Sequence, residues 1–169
     1  MKIEDNFLKQ EEFNKLHSDI MSPTFPVLSW FFKDVIDFED DVDKFQFGHV
    51  FYENFNPTSD NIQMMHPILR ILDPLSILKI KTNLLTRTLN IVENRFHTDM
   101  GGISEEKLKQ WTTSIFYINT NNGYTKFENG EKVESVANRM VTFSTNLKHT
   151  GTSCTDERTR VVINFNYFK

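Results

Sequence analysis

Cysteine is almost missing from this sequence, Cys154 being the only one. No disulfide can form within the chain, a cysteine-based zinc site is excluded, and any metal must be held by nitrogen and oxygen. Basic runs are missing as well. With a net charge of −4 and a pI near 5.7, the chain has no bulk attraction to a phosphate backbone, so nucleic acid is not an expected partner. No stretch approaches the roughly 18 apolar residues that suggest a membrane span. The first residues, MKIEDNFLKQEE, hold no apolar core for a secretory signal. Together these absences lead to the expectation of a cytoplasmic protein with no membrane partner.

What is abundant is aromatic area: 16 phenylalanines in 169 residues must be buried in something. That length suits one domain with a real core. Phe13, Leu16 and Ile20 recur at helical spacing with acids in the first turn, predicting a short amphipathic helix. The stretch PTFPVLSWFF carries two prolines and an aromatic cluster, and FEDDVDKF an acidic run expected to be a solvated loop or helix face. FQFGHVFYENF alternates as a strand does, and SDNIQMMHPILRIL has helical spacing interrupted by Pro67. From residue 75 onward, short β-branched and aromatic segments separated by turn residues predict a sandwich or barrel. Asn129-Gly130 between two of them predicts a type I′ hairpin turn. The expectation is a single domain, with a helical and mixed buttress over 1–74 and a β core over 75–169.

The chemistry rests on histidines. A His-x-Asp pair is weak by itself, because about 0.3 such pairs arise by chance in a chain with this many histidines and aspartates. His17-Ser18-Asp19 is such a pair on the predicted helix, where residues two apart point in nearly opposite directions. His97-Thr98-Asp99 lies at the end of an extended run, where residues two apart share a side and can converge on an ion. His149 follows another predicted strand. Two imidazoles and one carboxylate leave positions open on a metal, the arrangement expected of non-haem Fe(II) oxygenases. Arg160 lies on the last strand with Val162, Asn164 and Asn166 on the same face, and a guanidinium turned into a β interior needs an anion. His49 and His66 lack partners at ligand spacing and read as structural, and Cys154 reads as a small core residue.

With His97, Asp99, His149 and Arg160 in this order and spacing, the sequence resembles the 2-oxoglutarate/Fe(II)-dependent oxygenases. The likeness is to the prolyl-4-hydroxylase-like branch and to its short, virus-encoded single-domain members. SIFYIN, GYTKF and RVVINFNYF are similar to strands of that family. The resemblance implies a double-stranded β-helix (jelly-roll, cupin-like) core, with Fe(II) bound by His97, Asp99 and His149. It implies 2-oxoglutarate fixed by Arg160 and Tyr117, O₂ as oxidant and ascorbate as an accessory reductant. Asn164 is a further candidate contact, and Asn83 is the candidate where relatives carry a tyrosine. The implied reaction hydroxylates a C–H bond of a peptide, including a prolyl residue, or of a small molecule, releasing succinate and CO₂. Two alternatives stay open: oxidative demethylation of nucleic-acid bases on the same fold, and a non-catalytic cupin-like metal-binding module.

Overall fold

The computed structural model describes residues 1–22, 28–40 and 44–169. Both prolines and Phe25 of the PTFPVLSWFF stretch, and residues 41–43 of the acidic run, therefore lie outside the described residues.

The strands are β1 (Lys2–Glu4), β2 (Phe31–Lys33), β3 (Gln46–Glu53), β4 (Asn56–Pro57), β5 (Ser76–Thr86), β6 (Trp111–Tyr117), β7 (Tyr124–Phe127), β8 (Lys132–Glu134), β9 (Arg139–Ser144), β10 (His149–Gly151) and β11 (Thr159–Phe168). Eight of them form an antiparallel sheet in the order β1-β9-β6-β11-β5-β3-β2, with β4 beside β3. β10, β7 and β8 form a smaller antiparallel sheet. Isolated bridges from Glu93 to Thr152 and from His97 to His149 lay the segment 93–97 along its edge as an irregular fourth strand. This is a jelly-roll, double-stranded β-helix core. The first 74 residues do more than buttress it, because β3 is an interior strand and β1 and β2 close the two edges of the large sheet.

The helices α1 (Gln10–Met21) and α2 (His66–Leu72) cover one face of the large sheet. On α1, Phe13, Leu16 and Ile20 are buried, as their spacing predicts, each contributing about 1.5–3 kcal/mol by leaving water. Pro67 stands at the start of α2, where its missing N–H costs nothing, after a short 3₁₀ turn over Ile62–Met65. These side chains meet Phe51, Ile80, Phe116, Val161, Ile163, Phe165 and Tyr167 in one core. A second cluster between the two sheets joins Ile115, Tyr117, Phe127, Val133, Val141, Phe143 and Val162. Strand alternation on β11 thus sends odd positions to the helices and even positions to the gap between the sheets.

The hairpin at Asn129-Gly130 forms, but its turn is not type I′. Gly130 has φ 91° while Asn129 is not among the described residues with positive φ, and I′ needs both. Gly130 N donates to Phe127 O at 2.9 Å, and Phe127 N donates to Glu131 O at 2.9 Å. This is a three-residue loop with one left-handed glycine. The Asn129 side chain accepts from Glu131 N at 3.0 Å, satisfying the loop locally without turning its own backbone left-handed.

Candidate metal centre and anion pocket

His97 and His149 are brought together by main-chain pairing. His97 N donates to His149 O and His149 N donates to His97 O, both at 3.0 Å, so the two side chains rise side by side with ring centroids 5.0 Å apart. Each Nδ1 lies 3.2 Å from a backbone carbonyl, that of Arg95 for His97 and that of Leu147 for His149. A proton held on Nδ1 leaves the Nε2 lone pairs for a metal. Both Nε2 atoms turn toward Asp99 Oδ1, at 3.7 Å from His97 and 3.6 Å from His149. The ligand atoms of all three residues lie within 4.8 Å of one another, which one ion can span. Asp99 is itself held, its Oδ2 accepting from Asn166 Nδ2 at 2.8 Å. Phe143 and Phe127 wall the His149 ring at centroid distances of 4.9 and 6.1 Å.

The electrostatics are those of a site built for a cation. Burial favours a neutral Asp99, but the neighbouring imidazoles of His149 and His97 outweigh it and hold the carboxyl well below its usual range. Burial pulls the His149 pKa down. For His97 burial acts in the same direction, yet the neighbouring carboxylates of Asp99 and Asp37 lift it to about 9. Asp37 Oδ2 lies 3.3 Å from His97 Nδ1, and burial raises the pKa of this carboxyl.

A cavity of about 420 Å³ runs from these ligands along the even face of β11, past Asn166, Asn164 and Val162 to Arg160. Arg160 is 3% exposed. Its Nε donates to Ser135 Oγ at 2.8 Å and its Nη2 to Thr125 Oγ1 at 3.2 Å, and among the described residues no acid pairs with it. The guanidinium is seated by absences: a Cβ on Gly123 would stand 2.7 Å from Arg160 Cδ, and one on Gly151 3.3 Å from Nη1. Tyr117 is fully buried and donates to Thr125 Oγ1 at 2.8 Å. Burial raises its pKa although Arg160 opposes this, so the phenol stays a donor. Thr125, with both lone pairs engaged, has its own proton to give into the cavity. The amide oxygens of Asn83, Asn94 and Asn164 line the same space without a partner. Buried amides of that kind await a ligand or water.

The sequence candidates separate accordingly. His97, Asp99, His149, Arg160, Asn164 and Asn83 line one cavity, and Tyr117 stands behind Thr125. The other His-x-Asp pair divides on α1, where Asp19 meets Lys15 at 2.7 Å and His17 stacks on Phe13 at 5.8 Å. His49 is tied to Ser29 O and Ser59 Oγ, each at 2.7 Å, His66 is exposed, and Cys154 is buried. Of the acidic run, Asp40 pairs with Arg95, which stacks on Phe38. Sequence reasoning missed Thr125, Ser135, Asp37 and Asn94, which no local pattern distinguishes. It also passed over Lys79 and Lys81, whose alternation with Asn83 in ILKIKTN does place them on one face.

The fold is that of the 2-oxoglutarate/Fe(II) oxygenases, of the prolyl-hydroxylase kind. A Trichoplax adhaerens prolyl hydroxylase, solved with a hypoxia inducible factor oxygen degradation domain peptide fragment, superposes with a TM-score of 0.70 at 12% identity, over 99% of this chain and 82% of that one. A Pseudomonas putida prolyl-4-hydroxylase gives 0.64 at 14% identity, over 99% and 92%. The non-heme alpha-ketoglutarate-dependent carbocyclase SnoK of nogalamycin biosynthesis gives 0.62 at 11%, over 99% and 78%. No family model and no curated protein matches the sequence.

Proposed function

We propose that the protein is an Fe(II)- and 2-oxoglutarate-dependent dioxygenase that hydroxylates a C–H bond of a peptide or small molecule and releases succinate and CO₂. One observation carries this: a three-residue cluster able to hold a metal and a buried guanidinium with no acid beside it among the described residues share one cavity. The residues fit both groups. His97, Asp99 and His149 would hold the iron, and the donor set of two nitrogens and one carboxylate suits Fe(II) with open positions. Arg160 and the Thr125 hydroxyl would hold the distal carboxylate of 2-oxoglutarate, the planar fork matching a carboxylate edge, with Tyr117 orienting Thr125. Asn83 and Asn164 would flank the body of the co-substrate. When bound, the metal and co-substrate supply the oxidising chemistry. The chain supplies a His149 imidazole that burial keeps neutral, a His97 imidazole that would give up its proton to the metal, an ionised Asp99 fixed by Asn166, and phenylalanine walls around His149 that limit water.

The Trichoplax neighbour's peptide fragment supports a peptide, including a prolyl one, among the substrates. No helix among the described residues is long and apolar enough to cross a membrane; a cytoplasmic setting is part of the proposal. O₂ is the oxidant in this reading, and ascorbate would only maintain the iron.

The test is spectroscopic. Anaerobic protein with Fe(II) and 2-oxoglutarate is expected to show the weak visible charge-transfer band of a bidentate chelate, weakened in Arg160→Ala and lost in His149→Ala. On admitting O₂, succinate should form in the wild type and not in His97→Ala. A folded, iron-loaded wild type without the band would overturn the proposal in favour of a binding module.

A further inference from the structure

Beside the metal cluster, the cavity holds cations that neither the metal nor the co-substrate requires. Lys33, Lys79 and Lys81 all line it. They come from β2 and β5, and alternation puts Lys79, Lys81 and Asn83 on the face that carries Asn164 and Asn166 across the pairing with β11. Lys79 is engaged by Glu53 at 2.6 Å. Lys33 donates to Ile36 O at 3.0 Å, a neutral partner. Lys81 has neither a hydrogen bond nor an ion pair among the described residues. Its stem lies over Gly48, where a Cβ would stand 3.0 Å from Cε. Burial, together with the charges of Lys33 and Lys79, depresses its pKa to about 8, the behaviour of a cation short of a counter-ion.

A charge count of the loaded site sharpens this. A divalent iron, Asp99, a dianionic 2-oxoglutarate and Arg160 balance one another. Lys79 is balanced by Glu53, and among the described residues Lys33 and Lys81 together face only Asp37 beyond the metal cluster, its carboxyl itself pulled toward neutrality by burial. Counted over the described residues, the loaded pocket thus has one positive charge in excess. Lys33 and Lys81 also line a second cavity of about 340 Å³, together with Gly48, Val50, Thr58 and the exposed ring of Phe31. Its one acid, Glu53, is already engaged by Lys79, and the two lysines are shared between this largely apolar trough and the first cavity.

We infer that the substrate to be oxidised carries an anionic group, a carboxylate or a phosphate, held between Lys33 and Lys81, with an apolar portion lying along Val50 and Phe31. This specificity rests on the oxygenase reading above. It separates the lysines from Arg160: Arg160 serves the co-substrate, Lys33 and Lys81 the substrate.

The probes are hexanoate, hexanamide and inorganic phosphate, titrated into protein carrying Zn(II), 2-oxoglutarate and ¹³Cε-labelled lysine, with Lys33 and Lys81 assigned by Lys33→Gln and Lys81→Gln. Hexanoate is expected to shift both signals and to bind at least tenfold more tightly than hexanamide, with the advantage lost in either variant. Phosphate binding more tightly than hexanoate would assign the site to a phosphate, and the reverse to a carboxylate. In parallel, Lys81→Gln with Fe(II) should keep the 2-oxoglutarate charge-transfer band. Equal binding of hexanoate and hexanamide would overturn the inference, and so would loss of the band in Lys81→Gln, which would give Lys81 to the co-substrate. A wild type without the band would instead overturn the oxygenase reading, while the lysine shifts in the same protein would still decide the anion site.

Discussion

The two faces of β11 are made from the same ten residues and do opposite work. Val161, Ile163, Phe165 and Tyr167 turn toward α1 and α2, all 1% exposed or less, and their polar demands are few: the Tyr167 hydroxyl meets Ser114 at 3.1 Å. Arg160, Val162, Asn164 and Asn166 turn toward the smaller sheet, where two are amides, one is charged, and the amide oxygen of Asn164 has no partner among the described residues. The first face lowers the free energy of the fold by burial. The second raises it, because a buried guanidinium and unpaired amides cost several kcal/mol unless something answers them. A chain that keeps such a face is arranged for a ligand.

Substitutions can break this contrast, and the largest effect should come from the ligands. His149→Ala removes a proposed metal ligand without touching the helix face, so metal binding and turnover should vanish while the unfolding temperature of the metal-free protein changes little. Phe165→Ala should do the reverse. It should cost about 3–5 kcal/mol of stability, read by denaturant unfolding, and leave 2-oxoglutarate affinity in the folded fraction nearly unchanged. Comparable losses of both properties in either variant would mean that the faces are not separable.

Arg160→Met sharpens the comparison within the cavity face. Truncating one partner of a buried charge pair costs about 2–5 kcal/mol, so 2-oxoglutarate should bind at least about 30-fold more weakly. The ligand-free protein should nevertheless be as stable or more stable, because an uncompensated buried charge has been replaced by a side chain of similar volume. A destabilised ligand-free variant would show that Ser135 and Thr125 alone satisfy the guanidinium. Asn166→Ala removes the donor to Asp99 Oδ2 and should lower metal affinity about 10- to 100-fold, measured by competition with a chelator.

The helix face was nearly all legible in the sequence, because 3.6-residue and two-residue periodicities report burial directly and Phe13, Leu16 and Ile20 needed nothing else. The convergence of His97, Asp99 and His149 was legible through their order along the chain, and the decoy His17-Ser18-Asp19 was set aside by helical geometry alone. Other parts were not legible, for reasons that are physical. Thr125 and Ser135 became partners of Arg160 only because β7 and the segment after β8 fold across β11, a long-range arrangement with no local trace. Asp37 reaches His97 from an acidic stretch indistinguishable in composition from a solvated loop. The turn at Asn129-Gly130 was misassigned because the same dipeptide serves both loop lengths, and the choice is made by strand register.

The smallest effect concerns protons. In the folded, metal-free protein His97 titrates at about 9, above the roughly 6.5 expected when unfolded. It therefore contributes stability that is complete below about 6.5 and is lost as pH rises toward 9. Lys81, depressed to about 8, acts in the opposite sense above that value, where the unfolded chain holds a proton that the folded chain has released. The clear window is thus pH 6.5 to 8, in which the metal-free protein should lose stability with rising pH and then level off. Metal must displace the proton on His97, so its apparent affinity should rise over the same window by up to about tenfold per unit. With saturating metal the imidazole is neutral in the folded state, as it is in the unfolded state above about 6.5, and the stability slope should disappear. A slope that persists in the metal-loaded protein would place the titrating group outside the cluster, whereas its loss in His97→Gln would assign it to the imidazole that the metal needs neutral.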